Sequence, residues 1–342
     1  MIRLNDIVVK FGDFTALHSI NVHVKEGEFF TFLGPSGCGK TTTLRTITGF
    51  IEPAEGSVVV KGRDITRVPI EDRNIGIVFQ SYALFPTMTV YDNIAFGLRV
   101  KKAKKDEIDR KVREIARKVD LSDEQLKKAV SQLSGGQQQR VVLARILSSE
   151  PEAILLDEPF SALDSYLKWN LELELADLLA LFGGPVLWVS HDLDECYRNC
   201  GSVCVMEDGK TGAVTGMDEM IRHPESVSAA RLAGCKNFLA AVEKNGAVYL
   251  PEWGMALPVD AKGKTFTTLG IPDHAVALSV SGALRCTLCR VISGVEQDIL
   301  LLRPEHCGEG APALRVAAAR KNSLRAGETV CVALDAERLL LL

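Results

Sequence analysis

The chain has 342 residues, 46% of them hydrophobic, and its 40 basic and 44 acidic side chains give a net charge of −4. This length is enough for two domains, and the near balance of charge argues against a protein built to coat nucleic acid or an anionic membrane. The amino terminus reads directly into a strand rather than a secretory leader, and no apolar run approaches the ~20 residues of a membrane span, so we expect a cytosolic protein.

The first 33 residues predict antiparallel strands. Short runs in which apolar and polar residues alternate lie at 7–10 and 20–24, and Gly12 and Gly27 separate them. Phe11 directly precedes Gly12, where its ring could either stack on a nucleotide base or pack into the core. The residues themselves leave both alternatives open.

A phosphate-binding loop follows a predicted buried strand. Residues 28–33 are an apolar run, residues 42–48 can form a helix, and the motif G-x-x-x-x-G-K-[ST] lies between them. The loop residues are Gly34, Pro35, Ser36, Gly37, Cys38, Gly39, Lys40, Thr41 and Thr42. Inward-pointing N–H groups and the helix start attract anions, Lys40 would reach the β- and γ-phosphates, and the Thr41 hydroxyl would hold Mg²⁺. The flanking strand and helix argue against a chance glycine-rich turn.

Further strands are predicted between residues 50 and 80. Runs at 56–60, 62–64 and 75–79 have strand and turn character, and Gln80 ends the last of them. A polar amide at the end of a buried strand often points into a site. Residues 81–86 are apolar, and we expect an exposed loop that contacts a partner protein. The alternative is that this loop packs on a neighbouring helix.

Residues 90–150 are predicted to be helical. The lysine cluster at 101–105 is typical of a solvated helix start rather than of a nucleic-acid patch. Residues 133–137 open a later helix, and the turn consists of Leu133, Ser134, Gly135, Gly136 and Gln137. The Ser134 hydroxyl and the free N–H groups make a second anion site. Because one chain can hardly cradle the same phosphate twice, this second site indicates a second subunit.

Two apolar strands are predicted to end in polar groups. The run at 153–156 ends in Asp157, which would hold Mg²⁺, and Glu158, which would orient and deprotonate an attacking water. Residues 161–164 follow at once, and the run at 184–190 leads to His191, which can donate a hydrogen bond to a γ-phosphate oxygen. In a parallel sheet, ligands gather at the carboxyl ends of the strands.

The chain contains nine cysteines. Cys286 and Cys289 form a C-x-x-C pair, but a zinc site usually needs a second pair or histidines at a matching distance. We therefore interpret the cysteines mainly as small buried residues.

The last third of the chain predicts a small β-barrel. Short strand-like runs separated by glycine and proline turns lie at 247–250, 265–268, 275–280, 285–292, 298–304 and 329–342.

With these motifs in place, the chain resembles the ATP-hydrolysing subunits of ABC transporters over about residues 1–235. The matching elements are the Walker A loop at 34–41, the glutamine loop at Gln80, the signature at 133–137, Walker B at 153–158, the D-loop at 161–164 and the switch histidine His191. The resemblance implies an α/β fold: a P-loop ABC-ATPase domain with a RecA-like core plus antiparallel β and helical subdomains. It also implies ATP and Mg²⁺ as cofactors.

The resemblance assigns roles to individual residues. The catalytic residues would be Lys40, Gln80, Glu158 and His191. The nucleotide-binding residues would be Phe11 as the adenine-stacking ring, the loop residues 34–42, Gln80, Ser134, Gly135, Gly136 and Gln137 across a dimer, and Asp164. The metal ligands would be Thr41, Gln80 and Asp157.

Residues 236–342 resemble the accessory MOP/TOBE-like barrel of importer ATPases, so the expected domains are 1–235 and 236–342. The segment 229–238 and the ending near Asp335 look most like the molybdate/sulfate branch, and Arg285, Arg290 and Arg303 could attract an oxyanion. The alternatives are a polyamine, iron(III) or phosphonate importer, or a soluble ABC ATPase acting on nucleic acid. The barrel would either sense a ligand or only hold two subunits together.

The resemblance also implies partners. They are a second copy of the chain, permease subunits docking near residues 80–85, and a periplasmic or lipoprotein solute-binding protein, with no nucleic acid. The protein is then expected at the cytoplasmic face of the membrane.

Overall fold

The computed structural model describes residues 1–79, 83–160, 165–261, 263, 265–279, 284–307, 310–320 and 324–342. These residues form two compact units, 1–217 and 218–342. The division lies earlier in the chain than the predicted domain boundary after residue 235. Residues 218–235 fall in the second unit, where the guanidinium of Arg231 lies over the Phe238 ring at 5.2 Å.

The first unit begins with strands and continues as alternating helices and strands. In chain order its elements are β1 (Ile2–Phe11), β2 (Phe14–Val24), β3 (Phe29–Leu33), α1 (Lys40–Thr48), β4 (Glu55–Val60), β5 (Arg63–Asp64), β6 (Ile75–Val78), α2 (Val90–Val100), α3 (Lys105–Lys118), α4 (Asp123–Leu126), α5 (Gly135–Ser148), β7 (Ala153–Asp157), α6 (Ser165–Leu179), β8 (Val186–Ser190), α7 (Leu193–Asn199), β9 (Ser202–Glu207) and β10 (Lys210–Gly216). The predicted strands and helices around the phosphate loop, the signature and Walker B are confirmed.

A six-stranded sheet of order β10-β9-β3-β8-β7-β6 forms the centre of this unit. All neighbouring pairs are parallel except β9 and β10. The central strands β3, β7 and β8 are almost entirely apolar and buried, as expected where both faces of the sheet are covered. In register, Leu33 lies beside Ser190, and Asp157 lies beside Val189. The carboxyl ends of β3, β8 and β7 therefore meet at one edge.

Two smaller layers complete the first unit. An antiparallel sheet of order β2-β1-β4-β5 shares an apolar core with the central sheet. Helices α2 to α5 pack around a separate core. Helix α3 illustrates how these helices form a core. Its residues Ile108, Val112 and Ala116 recur every four positions and are all buried, whereas its other faces are charged.

The second unit is mainly antiparallel β-structure. Its elements are α8 (Met217–Arg222), which crosses the division, α9 (Val227–Leu232), β11 (Asn237–Ala240), β12 (Val242–Lys244), β13 (Ala247–Leu250), β14 (Met255–Asp260), β15 (Thr268–Ile271), β16 (Val276–Ser279), β17 (Leu284–Ile292), β18 (Gln297–Pro304), β19 (Leu314–Ala319), β20 (Thr329–Leu334) and β21 (Leu340–Leu341). Its own apolar core shares no residue with the cores of the first unit.

The largest sheet of the second unit has the order β16-β20-β17-β18-β19. Its two edge strands come within 8 Å of each other between Cα atoms, so the sheet is nearly closed, as predicted for a barrel. The sequence placed one strand at 265–268, but β15 begins at Thr268. The reason is a distant partner: the N–H groups of Thr267 and Thr268 both donate to the Leu342 carbonyl at the chain end.

Among the residues that the structure describes, none forms a helix long and apolar enough to cross a membrane.

Candidate functional site

The phosphate loop joins β3 to α1, and glycines shape it. A Cβ atom on Gly34 would lie 2.4 Å from the Met206 carbonyl oxygen, and one on Gly39 would lie 2.7 Å from a methyl group of Leu17. Gly39 also has a φ of 110°, a left-handed conformation that side chains rarely adopt. No side chain caps the start of α1. The first N–H groups of the helix therefore remain available for an anion.

Lys40 is buried beneath this loop, with 4% of its surface exposed. Its ammonium group donates to the carbonyl oxygens of Gly34 at 2.7 Å and Pro35 at 2.9 Å. The Cys38 thiol is 3.9 Å from the same nitrogen. Burial raises the pKa of the Cys38 thiol although the charge of Lys40 opposes the shift. Burial therefore favours the protonated thiol.

The hydroxyl of Thr41 donates to Asp157 Oδ1 at 3.1 Å and so joins the loop to the end of β7. Burial raises the pKa of the Asp157 carboxyl, and the neighbouring charge of Glu158 adds to the rise, while the Thr41 hydrogen bond opposes it. A cleft of about 400 Å³ lies here. Its lining residues are Ser36, Gly37, Gly39, Lys40, Thr41, Thr42, Arg45, Asp157 and Glu158.

Glu158 and His191 follow neighbouring strands. Glu158 has a φ of 47°, and its N–H donates to the Val189 carbonyl on β8 at 3.0 Å. His191 Nδ1 lies 3.4 Å from Glu158 Oε1, and 53% of the imidazole is exposed. A left-handed non-glycine residue at the end of a strand is a conformation that concentrates at functional sites. The structure thus places the two residues together at the edge predicted from the sequence.

The signature turn lies in a different cleft. Ser134 caps α5: its hydroxyl accepts from the Gln137 N–H at 3.4 Å, and Gln137 Oε1 accepts from the Ser134 N–H at 3.1 Å. The cleft beside it has a volume of about 580 Å³ and includes Ser134, Gly136 and Gln137. It shares no residue with the lining of the phosphate-loop cleft. Within one chain, therefore, the two predicted anion sites are separate.

Two other predicted positions need separate statements. Phe11 is 52% exposed and lies opposite Phe14 across the β1–β2 hairpin, so the alternative that it packs in the core is wrong. Gln80 and Asp164 lie outside the described residues, as does the rest of the D-loop at 161–164.

Sequence reasoning missed Arg45. It lines the phosphate-loop cleft, and its charge lowers the pKa of Asp157 against the dominant effect of burial. The signal was present, because Arg45 lies four residues after Thr41 on α1 and so shares a helix face with it.

The cysteines of the second unit differ in exposure. Cys286 is buried, and burial raises its pKa to about 12, whereas Cys289 is exposed. Within the described ranges, no group of three or more His, Cys, Asp or Glu side chains is arranged to hold a metal ion.

Comparison with known proteins identifies relatives. Residues 17–161 match the family model described as ABC transporter. The spermidine/putrescine import ATP-binding protein PotA of Rubrobacter xylanophilus is 39% identical, and the match covers 100% of this chain and 93% of that protein. The protein of the same name from Oleidesulfovibrio alaskensis is 42% identical over 78% of this chain and 72% of its own length.

Solved structures resemble about two thirds of the chain. CbiO1 of Clostridium perfringens, described as part of the ABC transporter complex cbiONQ, superposes with a TM-score of 0.58 at 29% identity, covering 64% of this chain and 89% of that one. The dimeric bacterial ABC transporter cassette MJ0796 gives a TM-score of 0.54 at 32% identity, covering 64% of this chain and 99% of that one. A second MJ0796 structure, at 31% identity, holds ADP and Pi in a post-hydrolysis state.

Proposed function

The chain belongs to the ATP-binding proteins of ABC transporters, and from this premise we propose that it is the ATPase of a polyamine importer. The predicted fold class, a P-loop ABC ATPase with a small β-barrel, is confirmed, and the chain is an ATPase. The observation that supports polyamine cargo is the 39% identity to a spermidine/putrescine import protein. The match covers 93% of that protein and the whole of this chain, including its second unit.

The oxyanion interpretation of the sequence has less support than the polyamine alternative. It relied on short resemblances near residues 229–238 and 335 and on three arginines. Arg285 is 3.5 Å from Glu305, so a carboxylate already accompanies that positive charge. The relatives that the chain matches over most of its length are named for spermidine and putrescine. We therefore propose a polyamine, rather than molybdate or sulfate, as the transported solute.

For ATP, the phosphate-loop cleft supplies the binding groups. The free N–H groups at the start of α1 and the Lys40 ammonium would contact the β- and γ-phosphates. Phe11 is exposed, as an adenine-stacking ring must be. The Arg45 guanidinium adds positive charge to the same cleft.

The residues at the end of β7 fit Mg²⁺. The Thr41 hydroxyl and the Asp157 carboxylate lie 3.1 Å apart, and oxygen donors of this kind are those that Mg²⁺ prefers. Thr41 and Asp157 would hold the ion, together with Gln80 as the sequence predicts. Bound there, Mg²⁺ would offset the negative charge of the phosphates.

Glu158 and His191 would carry the hydrolytic step. Glu158 would accept a proton from the attacking water, and His191 would donate a hydrogen bond to a γ-phosphate oxygen. Two observations support these roles: Glu158 lines the phosphate-loop cleft, and His191 Nδ1 lies 3.4 Å from Glu158 Oε1. The Ser134 turn lies in another cleft, so it would reach ATP only from a second copy of the chain.

Closure of two copies on two ATP molecules would then drive the permease. The permease would dock on this chain at a cleft of about 470 Å³ that includes Phe79, Phe85, Phe96 and Val100. An apolar, exposed cleft is typical of protein contacts. A solute-binding protein would deliver cargo on the other side of the membrane, with the ATPase at its cytoplasmic face.

The test is transport. Membrane vesicles containing this chain and the permease encoded beside its gene should accumulate labelled spermidine or putrescine when ATP is enclosed inside them, with the ATPase, and the system's binding protein is added outside. Parallel assays measure the uptake of molybdate, iron(III) and a phosphonate, each as the only labelled solute. ATP-dependent accumulation of one of these, without polyamine uptake, would overturn the polyamine assignment while leaving the ATPase intact.

A further inference from the structure

Two partly buried ion-pair clusters join helices α6 and α7. In the first, the Lys168 ammonium lies 2.5 Å from Asp192 Oδ2 and 2.9 Å from Glu195 Oε2. In the second, the Arg198 guanidinium donates to both carboxylate oxygens of Glu172, each at 2.8 Å. Both clusters border a cleft of about 360 Å³ that also includes Glu158 and His191.

The Lys168 cluster holds the chain on both sides of His191. Before His191, Trp188 Nε1 on β8 donates to Glu195 Oε1 at 2.6 Å. After His191, Asp192 caps α7 by accepting from the Glu195 N–H at 3.2 Å. Lys168 binds both carboxylates. The backbone at His191 is therefore held on one side by Asp192 and on the other by the Trp188–Glu195 hydrogen bond. Both carboxylates are ion-paired to the Lys168 ammonium.

The charges in this cluster need Lys168. Glu195 is 3% exposed, and burial raises the pKa of its carboxyl. Burial acts most strongly against the charged forms of Asp192 and Lys168, but the hydrogen bonds and opposite charges around each group together outweigh it. The pKa of Asp192 is therefore lowered, and that of Lys168 is raised. Removal of the ammonium would leave two carboxylates, one of them fully buried, without their cation.

We propose that Lys168 is a positioning residue that holds His191 against Glu158 for ATP hydrolysis. The proposal rests on the function proposed above. Lys168 contacts neither of those two side chains. Its effect passes through Asp192, which follows His191 directly, and through Glu195, which is bonded to the strand that precedes it.

The second cluster offers a matched control. Glu172 lies one helical turn farther along α6, and the Arg198 guanidinium stacks over Trp169 at 5.0 Å. Asn199 also donates to Glu172, at 2.7 Å. This cluster also joins the two helices by pairing a cation with a buried carboxylate, but the hydrogen bonds from Arg198 and Asn199 to Glu172 do not anchor the residues that flank His191.

The experiment compares Lys168→Met, Lys168→Arg and Arg198→Met in the full chain. Lys168→Met should lower kcat for ATP by about tenfold or more, with KM within about twofold, because a misplaced catalytic group affects the chemical step rather than ground-state binding. Lys168→Arg should recover most of the loss. Arg198→Met should lower the thermal midpoint at least as much as Lys168→Met, while kcat stays within about twofold of wild type. If Lys168→Met does not fold, Asp192→Asn replaces it, because the amide can still cap α7.

A second measurement follows His191 itself. The chain has six histidines, so their ring signals can be separated by NMR after selective ¹³C labelling, and the His191 signal is assigned by its loss in His191→Gln. Lys168→Met should move this signal, and Arg198→Met should leave it in place. A merely structural role for Lys168 would not make this distinction.

Three results would overturn the proposal: an unchanged kcat in Lys168→Met, a loss of kcat in Arg198→Met as large as in Lys168→Met, or an unmoved His191 signal. Failure of the proposed function is recognised separately. In that case the wild-type chain would not hydrolyse ATP, or His191→Gln would keep the wild-type kcat, whatever the Lys168 variants do.

Discussion

The two units of the chain use buried polar groups differently. In the first unit, the buried Lys40 and the partly buried Asp157 line the phosphate-loop cleft. In the second unit, Asn237 is buried among strands: it donates to the carbonyl oxygens of Ile271 and Arg315, and its own oxygen accepts from the Arg315 N–H. The first two groups line the cleft that we propose for ATP, whereas Asn237 completes the hydrogen bonding of the fold. We therefore expect catalysis to reside in the first unit, and four experiments can break or sharpen that comparison.

The largest expected effect comes from Glu158→Gln. The amide keeps the shape of the side chain but cannot accept the proton of an attacking water, so kcat should fall by at least about a hundredfold while ATP affinity stays within about twofold. Single-turnover hydrolysis and fluorescent-ATP binding measure the two quantities. The expected product is a dimer trapped with ATP. Wild-type turnover in this variant would remove Glu158 from the role of base.

Ser134→Arg should have the next largest effect. If the signature turn reaches ATP only across a dimer, an arginine there adds bulk and a charge that loses water without a partner, which costs several kcal/mol. ATP-induced dimerisation by light scattering should disappear, and turnover should fall by at least about tenfold. ATP should still bind to the phosphate loop of the monomer.

One mixture of variants and one control variant sharpen the Ser134 test. Mixing Ser134→Arg with Lys40→Ala leaves one composite site with a native phosphate loop and a native signature, so part of the activity should return. Ser226→Arg is the control, since Ser226 caps α9 in the second unit by accepting from the Ala229 N–H at 3.1 Å. It should cost about 1 kcal/mol of stability and leave dimerisation unchanged. Dimerisation of Ser134→Arg at the wild-type level would contradict the two-subunit site.

Asn237→Ala should act on stability and not on turnover. Asn237 is 6% exposed, and its loss leaves two carbonyl oxygens and one N–H without their partner. Buried unsatisfied groups cost about 1–3 kcal/mol each, so the second unit should lose about 3 kcal/mol of unfolding free energy, measured by hydrogen exchange. Gln297→Ala, at an exposed position of the same unit, should change neither property. A large fall in kcat for Asn237→Ala would join the units functionally.

The sequence predicted the first unit better than the second for a physical reason. Motifs such as the phosphate loop and the Asp157–Glu158 pair follow buried parallel strands, and the order of those strands alone brings their ends together. Lys168 could not be found in this way, because its partners Asp192 and Glu195 lie on another helix. It looks like an ordinary helix lysine until α6 and α7 are packed.

In the second unit, local pattern was a weaker guide to the strands. Strand β19 has the sequence Leu-Arg-Val-Ala-Ala-Ala, whose alanines have low strand propensity, and it was not predicted. Strand β15 was shifted because its neighbour is the end of the chain. Pairings between distant segments decide such details, and a single sequence does not display them.

The smallest expected effect on turnover comes from deleting the second unit, provided that the cut is made at the right place. A chain ending at residue 217 keeps three apolar cores and the clefts around the phosphate loop, Glu158 and Ser134, so its basal kcat should stay within about threefold of wild type.

A chain ending at residue 236, near the boundary predicted from the sequence, should be less soluble. It would retain α9, whose Ala229 and Ala230 are buried in the full chain, without the strand β15 on which α9 packs, and exposed apolar surface promotes association. Sedimentation and ATPase assays on the two fragments decide the matter. Equal solubility would favour the boundary at 235, and a loss of turnover well beyond threefold in the soluble shorter fragment would show that the second unit takes part in hydrolysis.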